Sequence, residues 1–241
     1  MVETAVMRTY GQFCPIARGS EILAERWTPI ILRNLLLGCR TFNEIADGAP
    51  GLSRALLARR LRELERAGVL EIRAKPNGRG SIYEPTPAGR DLAGVLESIG
   101  GWAERWTELT SDHADPDAVL WSWSQTFLRR DLLPDRRVVV QFEFPRGPRR
   151  VRLWLLAEGG TAELCRFDPG FGDDLVVTID DPLVFASWHL GRISWAAALR
   201  SGGVTVGGPR ALRLALPTWN NGPTEHARIR AERDLPVAGP A

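Results

Sequence analysis

Between Ser53 and Ala67 the residues sort into two sets with different chemistry. At a period of 3.6, Leu57, Leu61 and Leu64 share a narrow arc, with Leu56 on its flank. Ala55, Arg59, Arg62 and Arg66 point the opposite way, with Ala58 beside them. A guanidinium pairs in a fork with guanine O6 and N7 or with a phosphate, and small side chains near a helix start allow close approach to base edges. That face carries the chemistry for reading a DNA groove. A second basic group follows in Lys75-Pro-Asn-Gly-Arg-Gly80, which places Lys75 and Arg79 on a glycine-rich turn. There they can lie along a phosphate backbone or enter a minor groove. Alone, a basic hairpin is usually a solvated turn; directly after such a helix, nucleic-acid contact is the better reading.

The charge distribution agrees. The net charge is only +2, but residues 51–90 hold nine basic residues against four acidic ones, while from 111 onward sixteen basic residues face sixteen acidic ones. The basic surplus is therefore local, as a nucleic-acid footprint requires.

Other chemistry is sparse. His113, His189 and His226 have no nucleophile at a recognisable spacing, and no phosphate-cradling glycine loop or paired metal ligands occur. His189, in Trp188-His189-Leu190, reads as a packed or capping histidine. No catalytic residue, metal or cofactor is expected, and no enzymatic activity. Cys14, Cys39 and Cys165 are odd in number and widely spaced, which suits a reducing cytoplasm and forms no zinc pattern. The richest apolar run, residues 30–37, contains Arg33 and Asn34, well short of the roughly 18 apolar residues of a membrane span. The N-terminus has no basic segment followed by an apolar run, so secretion is not expected either.

The elements that must position these groups carry clear punctuation. Residues 15–26 read as a first helix. Thr28-Pro29, a cap and a first-turn proline, opens a second helix through Leu37, and Gly38 ends it. Thr41-Phe-Asn-Glu44 is a capping box that starts a short helix stopping near Asp47-Gly48. The turn Ala49-Pro-Gly-Leu52 then leads to Ser53, a good cap for the helix carrying the arginines. A short helix, a tight glycine-containing turn and a longer helix make a helix-turn-helix. Residues 69–74 and 81–86 read as two strands around the basic turn. After Pro87 a long helix carries Leu92, Val95, Leu96, Ile99, Trp102, Trp106 and Leu109 at three- and four-residue steps. A domain this small has limited core to cover that stripe, so it reads as the interface of a homodimer, which also suits a two-fold operator.

Several of these segments occur together and in order: Cys14-Pro15, Arg26-Trp27-Thr28, Arg40-Thr-Phe-Asn-Glu-Ile45, Leu52-Ser53, Leu57-Ala-Arg-Arg-Leu61-Arg-Glu-Leu-Glu65, Ala67-Gly68 and Tyr83-Glu-Pro-Thr-Pro-Ala-Gly-Arg90. Over residues 14–110 the chain resembles the HxlR-type winged-helix regulators, relatives of the MarR group. The resemblance implies a dimer that binds double-stranded operator DNA sequence-specifically. By position it implies contacts from Ser53, Arg54, Ala55, Ala58, Arg59 and Arg62, with Lys75 and Arg79 in the wing. Ala58 departs from the pattern, standing where many members carry threonine or another polar residue. Cys14 occupies the position of a cysteine that some of these regulators use to sense electrophiles or oxidants. The coming helix N-terminus and the nearby Arg8 and Arg18 would favour its thiolate.

Beyond a polar, proline-containing stretch at 112–116, the pattern changes. Asp115-Pro116 caps a helix with Val119, Leu120, Trp123, Phe127 and Leu128. Strands are expected at 138–144, 151–157, 161–165, 175–179 and 204–206, and helices at 182–190, 194–200 and 209–216, an α+β arrangement. Val177-Thr-Ile-Asp-Asp-Pro182, Gly191, Trp195 to Arg200 and Gly203-Val-Thr-Val-Gly-Gly-Pro-Arg-Ala-Leu212 resemble the sterol-carrier-protein fold over residues 117–219. That resemblance implies an apolar tunnel between sheet and helices for a hydrophobic small molecule. Six of the nine tryptophans lie here, and Trp123, Phe127, Trp154, Trp188 and Trp195 are the candidate lining residues.

The expected architecture is α+β. Residues 1–111 form a winged helix-turn-helix with a long dimerisation helix, 115–219 a sterol-carrier-protein-like domain, and 220–241 a tail. Leu92, Val95, Ile99, Trp102 and Trp106 are the expected dimer residues. The expected function is DNA-binding regulation switched by a hydrophobic effector in the second domain. The alternative is a thiol switch at Cys14, with the second domain serving oligomerisation or partner docking.

Overall fold

In the computed structural model, which describes residues 9–76 and 78–221, the chain divides into two units, Met1–Gly100 and Gly101–Ala241, with the division inside one long helix. Of the expected tail, residues 222–241 lie outside the described residues, as do Arg8 and His226.

The first unit runs α1 (Pro15–Leu23), α2 (Thr28–Leu36), α3 (Phe42–Asp47), α4 (Arg54–Arg66), β1 (Leu70–Ala74), β2 (Ser81–Pro85) and α5 (Pro87–Trp106). Two caps form as their sequence requires. Thr41 Oγ1 accepts from the Glu44 amide at 3.3 Å while Glu44 Oε2 accepts from the Thr41 amide at 3.1 Å, a complete capping box. Ser53 Oγ accepts from the Leu56 amide at 3.3 Å. Thr28 corrects the expectation: it is the first helical residue, buried, and the cap position belongs to Trp27, which lies in the left-handed region at φ 78°. Thr28 packs inward, and the bend between α1 and α2 falls on Trp27, so α1 stops at Leu23 rather than reaching Arg26.

The core of this unit joins Ile31, Leu32 and Leu35 of α2, Ile45 of α3, Leu57, Leu61 and Leu64 of α4, and Val69 and Leu70, all nearly inaccessible. Asn34 is fully buried among them and satisfied: its amide donates to the Ile45 carbonyl at 2.9 Å, and its Oδ1 accepts from Arg33. It thereby ties α2 to α3. β1 and β2 pair antiparallel from Leu70↔Pro85 to Ala74↔Ser81. Thr86 Oγ1 then donates to the Gly68 carbonyl at 2.6 Å and accepts from the Gly89 amide at 3.2 Å, which starts α5. Only glycine fits at position 89, because a Cβ there would stand 2.1 Å from the Val69 carbonyl oxygen.

The second unit contains α6 (Pro116–Ser122), which continues as one π turn over 123–127, then β3 (Val138–Arg146), β4 (Arg149–Glu158), β5 (Thr161–Cys165), β6 (Leu175–Ile179), α7 (Pro182–His189), α8 (Trp195–Arg200), β7 (Val204–Gly207) and α9 (Arg210–Ala215). The sheet order is β5-β4-β3-β6-β7, with β3 and β6 parallel and the other pairs antiparallel. Strand alternation sends Val138, Val140, Phe142 and Phe144 to the helix-covered face, opposite Ala157, Leu155, Leu153 and Val151 of β4. Asp115 caps α6, as expected from its position, and Asp181 caps α7.

Candidate nucleic-acid interface

α4 is oriented by what it buries. Leu57, Leu61 and Leu64 are at most 2% exposed, so the opposite side faces outward with Ser53, Arg54, Ala55, Arg59 and Arg62 exposed and Ala58 half-buried. Arg54 is aimed from α3: its Nη2 donates to Asn43 Oδ1 at 2.8 Å, and its guanidinium lies 4.8 Å from the Phe42 ring centroid. This buttress was not anticipated, although Phe42 and Asn43 sit inside the capping box that was. Among the described residues Arg59 has one ionic contact, a long one with Glu63 at 3.8 Å, and it stays exposed. Arg62 has no ion pair among the described residues.

The local charge count needs one revision. Arg60, on the same helix, is 9% exposed and carries ion pairs to Glu25 and to Glu63 Oε2, the latter at 2.6 Å. It is a clamp between α4 and the bend that follows α1, not a surface cation. Arg73 is likewise occupied by Glu71 and by Glu84 at 3.4 Å, and Arg90 donates to the Pro85 carbonyl at 2.6 Å. On the outward side of α4 this leaves Arg54, Arg59, Arg62 and Arg66, with Lys75 and Arg79 on the hairpin beside it in sequence.

The hairpin turn is closed by the Lys75 amide on the Gly80 carbonyl at 3.1 Å and the Gly78 amide on the Lys75 carbonyl at 2.9 Å. Its root is tied to the helices by the Tyr83 amide on the Arg40 carbonyl at 2.8 Å. Burial raises the Glu44 carboxyl, but hydrogen bonds from the Arg40 and Thr41 amides and the Thr41 hydroxyl, helped by the charge of Lys75, outweigh it and hold the pKa below the ordinary value. Glu44 therefore stays charged and keeps the start of α3 fixed.

Along α5, Val95, Ile99, Trp102 and Trp106 are 41%, 49%, 60% and 65% exposed, and Leu92 is half-buried. Cys14 stands at the start of α1, half-buried, its carbonyl accepting from the Arg18 amide at 3.1 Å. Cys39 and Cys165 are held protonated. Burial, with Glu44 adding to it, pushes Cys39 up to about 11, and burial followed by Glu163 raises Cys165.

The aromatic residues of the second unit separate. Trp123, Phe127 and Trp188 lie in the packed core, where Trp123 meets Phe142 at 5.7 Å, Phe185 at 6.0 Å and Trp188 at 6.1 Å between ring centroids. Phe127 stacks on the buried His189 at 5.1 Å. Trp154 is on the other face of the sheet and donates through Nε1 to Asp173 at 3.0 Å. Trp195 lines an open apolar cavity of about 450 Å3 beside β7. Its partners there, Leu199, Arg210, Arg213 and Leu214, were not anticipated; Arg210 and Arg213 one turn apart beside Leu214 on a short helix were the available signal.

A capped helix presenting arginines next to a basic two-stranded wing defines a winged helix-turn-helix of the DNA-binding kind. Residues 22–111 match the HxlR-like helix-turn-helix family. An uncharacterized HTH-type transcriptional regulator of Bacillus subtilis, YvaP, is 36% identical over 99 residues, covering 40% of this chain and 92% of the relative. The HTH-type transcriptional regulator YodB of the same organism is 32% identical over 97 residues, 39% of this chain and 87% of YodB. The solved reduced form of B. subtilis YodB aligns at 31% identity over 40% of this chain and 97% of that one, with a TM-score of 0.36. The chain belongs to the HxlR-like family of helix-turn-helix transcriptional regulators.

Proposed function

We propose that residues 1–111 bind double-stranded operator DNA as a homodimer, with α4 in the major groove and the 75–80 turn on the backbone, while residues 115–219 sense a hydrophobic small molecule. The observation that carries the DNA reading is the division of α4. Its leucine side is locked in the core, and the exposed Arg54, Arg59, Arg62 and Arg66 share the outward side with Ser53 and Ala55. Arg59 and Arg62 read base edges or phosphates, Ser53, Arg54 and Ala55 line the approach, and Ala58 makes only close backbone contact. The exposed row on α5 supports the dimer, since two tryptophans left to water are costly in a monomer. The sterol-carrier-like reading of the second unit rests on the sequence resemblance, together with an element order of strand, helix, helix, strand and helix over 175–215.

The test is a salt-titrated fluorescence anisotropy measurement on the gene's own upstream region. A specific complex forms, weakens steeply with salt, and survives excess non-specific DNA. Binding that competitor DNA abolishes equally at every salt concentration overturns the operator reading.

A second reading places the switch at Cys14. YodB has been solved in diamide-treated and quinone-bound forms, and Cys14 stands half-buried at the start of α1 as a free thiol. Under that reading quinone treatment changes the operator affinity of the wild type and leaves Cys14→Ser unaffected. Equal affinities for the two proteins after treatment remove it.

A further inference from the structure

The cavity of about 450 Å3 in the second unit lies along the edge strand β7, between α8 and α9. Its walls are apolar. Trp195 and Leu199 come from α8, Val206 from the strand and Leu214 from α9, and Leu199 and Leu214 are 41% and 63% exposed. Trp195 is fixed from behind, its ring centroid 4.4 Å from that of the core residue Trp188. The volume falls in the range of small-molecule pockets, roughly 300–1,000 Å3.

Two guanidiniums stand on the same wall. Arg210 and Arg213 are one turn apart on α9, both line the cavity, and neither has an ion pair among the described residues. They contrast with three of the four arginines of the β3–β4 hairpin in the same unit, where Arg146 pairs with Asp117, Arg150 with Asp180 and Arg152 with Glu143. Two uncompensated cations beside an apolar groove are complementary to a molecule that is apolar at one end and anionic at the other. The turn from β7 into α9 holds this geometry through Gly208, at φ 125°, where a Cβ would stand 2.6 Å from the Asp174 carbonyl oxygen.

We infer that this groove binds an amphipathic anion of small-molecule size, its apolar body against Trp195, Leu199, Val206 and Leu214 and its carboxylate on Arg210 and Arg213. The inference rests on the reading of the second unit as a ligand-sensing domain. It moves the site from the space between sheet and helices, which Trp123, Phe142, Phe185 and Trp188 fill, to the β7 edge. It also adds a charge requirement that a purely hydrophobic ligand would not meet.

The experiment uses the full chain and a matched pair of probes, dodecanoate and dodecanol, titrated calorimetrically near neutral pH below their aggregation limits. Dodecanoate binds the wild type at least about tenfold more tightly than dodecanol, as charge-assisted hydrogen bonds require. The Arg210→Gln/Arg213→Gln variant removes the preference and keeps the thermal transition of the wild type, because both side chains are exposed. Leu214→Asp weakens both probes. Equal affinity for the two probes in the wild type, or a preference that survives in the double variant, overturns the anion assignment. Binding of neither probe overturns the groove as a ligand site and leaves DNA binding by α4 untouched. Operator affinity is measured in parallel: a preference for dodecanoate without any change in DNA affinity upholds the groove and overturns its role as the effector site.

Discussion

At the scale of single residues, one helix carries arginines with opposite jobs. Arg59 and Arg62 face out, so replacing both by alanine should weaken operator binding by about 1–3 kcal/mol per lost base contact and leave the melting temperature nearly unchanged. Unchanged affinity at all salt concentrations would remove α4 as the reading helix. Arg60→Ala should do the reverse, costing about 1–3 kcal/mol of stability by stripping Glu63 and Glu25 of their partner, with DNA affinity falling only as the fold does. The helical period in the sequence separates Arg59 and Arg62 from the leucines, but it cannot separate Arg60 from them functionally. Arg60 is shared by Glu63, three positions on, and by Glu25, 35 positions back, and no local pattern reports the second of these partners. Cys39 allows a pH test of the same kind. Its thiol is pushed from 9.0 up to about 11 in the folded chain, so as pH rises the unfolded chain ionises first. The stability contributed by the buried thiol is whole below pH 9.0 and is lost as pH climbs towards about 11, by at most roughly 3 kcal/mol. Denaturant titrations across that window should show a steeper decline for the wild type than for Cys39→Ala, and parallel declines would mean that the thiol is not held protonated.

At the scale of elements, what the chain announces locally is what it forms. The capping box at Thr41, the Ser53 cap and the strands at 161–165 and 175–179 stand where their residues place them, because caps and strand alternation act within a few residues. The failure is at α2. Thr28-Pro29 has the composition of a cap and a first-turn proline, yet the cap position is Trp27 in a left-handed conformation. Thr28 is drawn into the core, a tertiary demand that overrides the local preference. A second close approach, equally silent in the sequence, joins α5 to the end of α4. Gly89 lies so near the Val69 carbonyl that Gly89→Ala should destabilise the first unit by about 3 kcal/mol or more, although alanine is the better helix former. A melting temperature equal to or above that of the wild type would show that the contact relaxes without cost. The aromatic residues of the second unit carry the same lesson. Their number in the sequence does not say which fill the core and which line a cavity, because that depends on the sheet face each strand residue receives and on how α7 and α8 cover it.

At the scale of the whole molecule, a nearly neutral chain carries its basic surplus in residues 51–90, where the outward cations of α4 stand beside those of one hairpin, and leaves an apolar row exposed on α5. A single winged helix offers few base contacts, so useful specificity requires two of them on half-sites about one DNA turn apart, roughly 34 Å, related by a two-fold axis. In the proposed dimer the α5 row supplies that axis, because a self-complementary apolar face buries the same residues from both copies. Ile99→Arg/Trp106→Arg places two like charges per copy in that face. Sedimentation velocity should then give a monomer where the wild type gives a dimer, and affinity for the full operator should drop by at least about tenfold because the second half-site no longer adds to the first. Helical content should be unchanged, since Ile99 and Trp106 are exposed within one chain. Salt dependence distinguishes loss of the partner from loss of the contacts. Removing Lys75 or Arg79 lowers the salt slope by about one per phosphate contact in each copy, whereas the monomeric variant should show about half the wild-type slope with its single DNA-contacting surface intact. If the variant remains a dimer, or if a monomer binds the full operator as tightly as the wild type, the α5 face is not what sets two recognition helices on one operator.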